Sequence, residues 1–227
     1  MEQRGALEHL LLESSSEIGV PIEPDQAQQF LLYLKQLNIW NQSFNLTAIT
    51  KDEEVIVKHF IDSLAALKAI NISTEAHILD IGTGAGFPGI PLKIVRPDLS
   101  ITLVEPVHKK SAFLHFIVGL LQLKCVNVFQ GTIERFNSTR SVTMPYDYLT
   151  TRALNSSLIF QNAQNLLIEG GKAIIYSARP FDKTLLPNDW NFVGDYTFEL
   201  PYAHGSRTIT IFTHRGESSS HVVPRGT

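Results

Sequence analysis

Four glycines, Gly82, Gly84, Gly86 and Gly89, fall within eight positions directly after the apolar run that ends Leu79-Asp80-Ile81. Glycines at the end of a strand permit a tight turn and let a ligand approach the backbone closely. Their spacing separates the possible ligands. A dinucleotide fingerprint is G-x-G-x-x-G, shaped around a pyrophosphate. Here Gly82-Thr83-Gly84-Ala85-Gly86 is G-x-G-x-G, with the carboxylate of Asp80 just ahead. An acid in that place suits a cationic ligand better than a pyrophosphate. The helix that opens after the turn is expected to present free N–H groups and the positive end of its dipole. A second carboxylate, Glu105, ends the next apolar run, where it can accept both hydroxyls of a ribose. Ile133 and Glu134 follow the third run, after Gly131-Thr132, and are placed to line an adenine pocket.

Such residues need a sheet whose strands end together, and the pattern from Ala76 onward supplies one. His77 to Ile81, Ser100 to Val104, Cys125 to Phe129, Tyr146 to Thr151 and Lys172 to Ser177 read as strands. Pro88 to Val95, Lys109 to Leu123 and Leu154 to Leu167 read as helices, the second presenting Phe113, Phe116, Ile117 and Leu120 on one face and the third closed by Gly170-Gly171. Two β segments, Phe192 to Leu200 and Thr208 to His214, follow. Alternation of this kind predicts an α/β fold, a Rossmann-like doubly wound, mostly parallel sheet with helices on both faces.

Residues 1–70 predict an N-terminal helical extension. Ala27, Phe30, Leu31, Leu34 and Leu37 recur at helical spacing behind Pro24-Asp25. After a polar link from Asn41 to Thr50, Asp52 is expected to cap a second helix with the face Ile56, Phe60, Leu64 and Leu67. Trp40 and Phe44 are expected to pack this extension onto the main domain, over residues 71–215. The polar tail, 216–227, is expected to be disordered, and its Val222-Val223-Pro224-Arg225-Gly226 is set aside as a candidate cloning remnant.

The chain of 227 residues is 44% hydrophobic and carries a net charge of −3. Residues 1–70 hold five Lys and Arg against ten Asp and Glu, and the remainder hold 14 against 12. The acidity excludes a basic coat over the whole surface but leaves room for a local basic face. The single cysteine, Cys125, excludes a disulfide framework and fits a reducing cytosol; it reads as a small buried apolar residue. There is no signal-peptide layout, and the most apolar segment, Phe113 to Leu123, is too short to cross a bilayer. A cytoplasmic protein with no membrane partner is expected.

The G-x-G-x-G turn behind an acid resembles the first motif of class I S-adenosylmethionine-dependent methyltransferases. The fourth strand ends in Thr150-Thr151-Arg152-Ala153-Leu154, without the N/D-P-P-Y/F motif of enzymes that methylate exocyclic amines. Pyrimidine C5 methylation needs a cysteine nucleophile, and Cys125 lies on the wrong side of the third strand. Acceptors needing neither proton removal nor covalent help remain, guanine N7 among them. Several segments together then resemble one family: Asn45-Leu46-Thr47-Ala48-Ile49, Lys58-His59-Phe60-Ile61-Asp62-Ser63-Leu64, the run LDIGTGAGFPGIPLKIVRPD from Leu79, His108-Lys109-Lys110-Ser111-Ala112-Phe113-Leu114 after Glu105, and Thr151-Arg152-Ala153. Over residues 25–215 they are similar to the bacterial 16S rRNA (guanine-N7) methyltransferases, the glucose-inhibited division protein B family.

The resemblance implies transfer of a methyl group from S-adenosylmethionine to N7 of one guanosine in the 530 loop of 16S rRNA. It implies cofactor contacts at Gly82, Phe87, Ile133, Glu134 and Arg152, to which the residue reading adds Asp80, Gly84, Gly86 and Glu105. No catalytic acid, base or metal ligand is identified. Arg152, His59 and Asn45 are the candidates for positioning substrate or cofactor. His59 reads equally as a structural histidine paired with Asp62 three residues on, and Asn45 as a turn residue. Lys109 and Lys110 are either a solvated face or contacts to RNA phosphate. The partner expected is 16S rRNA within the small ribosomal subunit or its precursor, met by a monomer with no role on DNA. Two alternatives stay open: an NAD(P)-dependent oxidoreductase and a non-catalytic ribosome assembly factor.

Overall fold

Strand β1 (His77–Ile81) is apolar on both sides: Ile78 joins a buried cluster on one face, and Leu79 and Ile81 join a second cluster on the other. A strand buried on both faces belongs inside a parallel α/β sheet. In the computed structural model, which describes residues 2–139, 145–152, 156–163 and 165–215, that sheet has seven strands in the order β3-β2-β1-β4-β5-β7-β6. The remaining strands are β2 (Ser100–Glu105), β3 (Val126–Gln130), β4 (Tyr146–Arg152), β5 (Leu167–Ser177), β6 (Trp190–Glu199) and β7 (Ser206–His214). Strands β1 to β5 pair in parallel, and β7 runs antiparallel to both β5 and β6. Strand order reverses between β1 and β4, so the crevice beyond their carboxyl ends is where a doubly wound sheet binds ligands.

The helices are α1 (Glu2–Glu17), α2 (Pro24–Phe44), α3 (Asp52–Val55), α4 (Asp62–Leu64), α5 (Ala66–Ala69), α6 (Gly89–Val95), α7 (His108–Leu120), α8 (Ile133–Thr139) and α9 (Ser156–Ala163), with a π-helical turn over Ile56–Ile61. The N-terminal helices share one buried cluster with α6, α7, β1 and β5. They form part of the layer that covers one face of the sheet. In α2 all five expected residues are buried, and Tyr33 with them. The Tyr33 hydroxyl donates to the Ala85 carbonyl at 2.5 Å, tying this helix to the glycine turn. Gln26 Nε2 donates to the carbonyls of Ile94 and Val95, anchoring α2 to α6. Trp40 packs edge-on against Phe113, 5.5 Å between ring centres, as expected.

Several local expectations are corrected. Asp52 is the first residue of α3 rather than its cap, and its carboxylate accepts from Asn38 Nδ2 at 2.7 Å, joining α2 to α3. Helix α7 stops at Leu120 and buries Phe113, Leu114 and Ile117. Phe116 and Leu120, on the same face, are each 38% exposed, with the Trp40 ring centre 5.3 Å from that of Phe116. The third expected helix is the shorter α9, and Leu167 already belongs to β5. Gly170-Gly171 sits where pairing slips from Tyr146–Leu167 to Tyr148–Lys172, so the glycines serve a bulge. Cys125 is exposed with φ 55, since it forms the turn into β3 and not the strand itself. Ala153, Leu154 and the tail from Gly216 lie outside the described residues.

Gly86 is where the α2 layer and the turn meet most closely. Its φ is 109, and a Cβ there would lie 2.5 Å from Ile90 Cδ1 and 2.6 Å from the Tyr33 hydroxyl. Gly86→Ala is therefore expected to cost about 2–4 kcal/mol of stability, combining backbone strain with overpacking. Gly84→Ala meets nothing within 4 Å, although its φ is 63, and is expected to cost only about 1 kcal/mol, from the left-handed backbone alone. Urea denaturation midpoints of the two variants check the difference.

Candidate functional site

The carboxyl end of β1 is built around Asp80. Its side chain is fully buried, and Oδ2 accepts from Thr83 Oγ1 at 2.6 Å and from the Gly89 N–H at 2.8 Å. The carboxylate thus spans the whole glycine turn from strand to helix. A Cβ on Gly89 would come within 2.8 Å of that same oxygen, so the fourth glycine lets α6 reach Asp80. This places Asp80 behind the turn, bracing it, and not towards a cationic ligand as the sequence suggested. Burial lifts its pKa to about 6, against the opposing hydrogen bonds from Thr83 and Gly89.

The expectation of free N–H groups at the start of α6 is also overturned. Pro88 and Pro91 have none. The Gly89 N–H goes to Asp80, Ile90 N–H to the Gly86 carbonyl and Leu92 N–H to the Pro88 carbonyl. A pyrophosphate held on a helix N-terminus needs the donors that are spent here. What the turn offers a ligand is backbone at Gly82 and Gly84, on one wall of a cavity of about 370 Å³.

Glu105 stands in that cavity with Ile133 and Glu134. Its Oε2 accepts from the Gly84 N–H at 2.9 Å and its Oε1 from the Val107 N–H at 2.8 Å. Each oxygen keeps a lone pair, and both are fixed in orientation. A carboxylate held in this way fits a vicinal diol. Ile133 is buried and Glu134 exposed at the start of α8, where the Thr132 side chain, its largest influence, holds the Glu134 carboxyl below the usual range. A nucleoside fits these residues; the cavity has no cluster of cations for phosphates, Lys110 being its one cationic side chain among the described residues.

A second cavity, of about 870 Å³, opens beside the ends of β4 and β5 and is lined by Lys58, His59, Asp62, Arg152, Arg179 and Arg207 among others. Arg152 is its hub. Nη1 donates to the Lys58 carbonyl at 3.1 Å and to Asp62 Oδ2 at 3.2 Å, and Nη2 lies 2.7 Å from His59 Nδ1. The guanidinium sits 5.1 Å over the Phe87 ring, against which His59 stacks at 4.5 Å. Burial and then Arg152 push His59 down to about 3, so the ring is neutral in the physiological range. Burial raises the Asp62 carboxyl, opposed by Arg152 and Arg207, and Arg207 Nε approaches Asp62 Oδ1 to 3.9 Å.

Gly82, Gly84, Glu105, Ile133 and Glu134 therefore meet on the first cavity, and Lys110 joins them. Arg152 and His59 meet on the second. Gly86 and Phe87 lie behind the turn, packed towards Tyr33 and His59. Asn45 is the exposed left-handed cap of α2, φ 48, outside both cavities, and Lys109 is exposed. The His59 and Asp62 side chains do not pair with each other, although the Asp62 N–H donates to the His59 carbonyl; both side chains turn to Arg152, because its charged, partly buried guanidinium is the stronger partner. Tyr33, the Lys58 carbonyl and Arg207 were not singled out from sequence. Nothing in local spacing marks a contact made across 90 residues.

The raised Asp80 pKa has a stability consequence. Relative to its ordinary 3.8, a folded-state value of about 6 means that the folded protein holds this proton more tightly. That contribution is complete below pH 4 and is lost as pH rises through 6. In Asp80→Asn the loss disappears. The stability of the variant relative to the parent is expected to rise between pH 4 and 6 and stay level above pH 7, as read from denaturant unfolding at each pH.

Comparison with known proteins follows the same lines. The sequence model of the GidB family, rRNA small subunit methyltransferase G, matches residues 26–197. A protein named ribosomal RNA small subunit methyltransferase G from Caldanaerobacter subterraneus subsp. tengcongensis is 37% identical over 77% of this chain and 73% of its own length. One of the same name from Staphylococcus carnosus is 34% identical over 92% of this chain and 90% of its own. The match to its namesake from Alkaliphilus metalliredigens, 42% identical over 65% of this chain, spans 62% of that protein, a little under two thirds. Among solved structures, a mutant of MtNAS in complex with S-adenosylmethionine superposes with a TM-score of 0.56 at 16% identity, covering 92% of this chain and 88% of that one; at that identity it speaks for the fold alone. With the family's own sequence pattern matched over more than half of its length, the chain belongs to the GidB, rRNA small subunit methyltransferase G, family.

Proposed function

We propose that the protein transfers a methyl group from S-adenosylmethionine to N7 of a guanosine in the 530 loop of 16S rRNA. Methylation of small-subunit rRNA follows from the family. The observation that carries the choice of cofactor is the pairing of a fixed diol acceptor, Glu105, with a glycine turn whose helix has no N–H left for phosphate. The ligand that suits this pairing has a nucleoside and no pyrophosphate, which disfavours a nicotinamide dinucleotide. When bound, S-adenosylmethionine supplies an electrophilic methyl group on a sulfonium centre.

In this reading Glu105 holds the ribose hydroxyls, Ile133 and Glu134 frame the adenine, and Gly82 and Gly84 admit the chain that follows. Arg152, on the second cavity, takes the amino-acid carboxylate, the ligand that matches its fork. An arginine fork placed on the O6 and N7 edge of guanine would cover the nitrogen to be methylated, which favours the carboxylate as its ligand. The second cavity takes the acceptor base, splayed from an unpaired loop.

The two titratable side chains that face Arg152 in that cavity are already engaged. His59 has both ring nitrogens engaged, by Arg152 and Thr47, and Asp62 is paired with Arg152. An acceptor nitrogen that carries no proton, such as guanine N7, asks for no base. Catalysis then rests on positioning and electrostatics. Lys58, Arg179 and Arg207 line this cavity and are the cations beside the acceptor site that could meet RNA phosphates. So local a patch on a chain of net charge −3 supports an assembled small subunit or its precursor, and not naked RNA, as the substrate of a cytoplasmic, monomeric enzyme. No helix is long and apolar enough to cross a membrane, among the described residues.

The experiment is reductive strand scission at N7-methylguanosine in ribosomal RNA from cells with and without the protein. Scission in the 530 loop is expected only with it, and scission unchanged by its removal sinks the assignment. In purified protein, Glu105→Gln is expected to weaken cofactor binding about tenfold or more by impairing a charged hydrogen-bond acceptor, with methyl transfer falling in step. Equal transfer to naked 16S rRNA and to small subunits would overturn the particle as substrate.

A further inference from the structure

We propose that His59 is a positioning residue for the amino-acid end of the cofactor, its bare Nδ1 aiming the Arg152 guanidinium so that one donor pair stays open for a carboxylate. This rests on the assignment of Arg152 to that carboxylate above. Arginine has five N–H donors and no acceptor. Both Nη1 hydrogens are used, on the Lys58 carbonyl and Asp62 Oδ2, and one Nη2 hydrogen faces His59 Nδ1. The Nε hydrogen and the second Nη2 hydrogen have no partner among the described residues. We assign His59 the Nη2 hydrogen on the Nη1 side, which leaves the Nε hydrogen and the other Nη2 hydrogen along one edge of the planar group, a two-point fork of the kind that binds a carboxylate.

The direction of that fork depends on the protonation state of His59. Because Arg152 can only donate, Nδ1 must carry the lone pair, which puts the ring proton on Nε2. Nε2 then donates to Thr47 Oγ1 at 2.8 Å. Thr47 Oγ1 also accepts from the Ile49 N–H at 3.1 Å, so the loop before α3 holds the tautomer in place. The ring cannot turn away, since it stacks on Phe87 with 17° between the planes. Protonation of Nδ1 would set an N–H against the guanidinium, and burial beside Arg152 keeps the ring neutral. With this acceptor gone, Asp62 and the Lys58 carbonyl still hold Nη1 and Phe87 still lies under the group, but no hydrogen bond from the described residues holds the edge that bears Nη2 and Nε.

The test is calorimetric binding by the full chain of two probes, S-adenosylhomocysteine, which carries the amino-acid tail, and 5′-methylthioadenosine, which lacks it. His59→Phe keeps a ring against Phe87 without an acceptor, and His59→Asn keeps an acceptor near Nδ1 without the ring. His59→Phe is expected to weaken S-adenosylhomocysteine about tenfold, the scale of one charged hydrogen bond, while 5′-methylthioadenosine stays within about twofold and reports an intact adenosine site. His59→Asn is expected to recover most of the loss. The proposal is overturned if His59→Phe leaves both affinities unchanged, weakens both probes alike, or is matched by His59→Asn. Arg152→Ala separates the two levels. If it leaves the ratio of the two affinities unchanged, the assignment of Arg152 to the carboxylate fails; if it collapses the ratio and His59→Phe does not, only the role of His59 fails.

Discussion

A guanidinium taken out of water must find acceptors, and the placement of the Arg152 side chain organises the crevice around that need. Arg152 ends β4, yet among the described residues the partners of its head group come from before β1 or from the turn just after it: the Lys58 carbonyl, His59, Asp62 and the Phe87 ring. Meeting them requires the Ile56–Ile61 turn to lie across the carboxyl edge of the sheet. That turn is π-helical, a form that often marks functional sites, and it sets His59 and Asp62 side by side towards the arginine. The N-terminal helices are therefore part of the second cavity's wall.

The same edge is braced from within by Asp80. A carboxylate buried with its pKa pushed up to about 6 costs stability, and two hydrogen bonds from the turn and from α6 offset part of that cost. Its hold on the Gly89 N–H, together with two prolines, removes every donor that a phosphate would need at the helix start. The choice between cofactor classes thus turns on where backbone hydrogen bonds go. Tyr33 completes the arrangement by holding the Ala85 carbonyl from the helical layer, and Gly86 has no side chain because that hydroxyl occupies the space.

Much of this was legible in the sequence because the signals are local. Strand β1, the turn, Glu105 at the end of β2 and the buried stripe of α2 are each written within a few residues of themselves. Periodicity alone does not say how much of the α7 face is covered: Phe116 and Leu120 share it with the buried Phe113 and Ile117 yet stay 38% exposed, and the helix ends three residues before Leu123. Nor does it place Leu167: an apolar run does not say whether a helix or a strand will bury it. Residue type alone reads Cys125 as buried, and the turn into β3 exposes it.

By itself the sequence determined the doubly wound sheet, a nucleoside-type cofactor turn with Glu105 beside it, and the family, since these rest on spacing and on contiguous motifs. Only the tertiary structure decided what Asp80, His59 and Asp62 do. Each is a polar group carried into the interior, and its role is set by whichever partner can satisfy it there: the N–H of Gly89 for Asp80, and for His59 and Asp62 an arginine about 90 residues further along the chain. Spacing fixes which face a residue shares, but a buried charge is answered only by what the fold brings within hydrogen-bond reach.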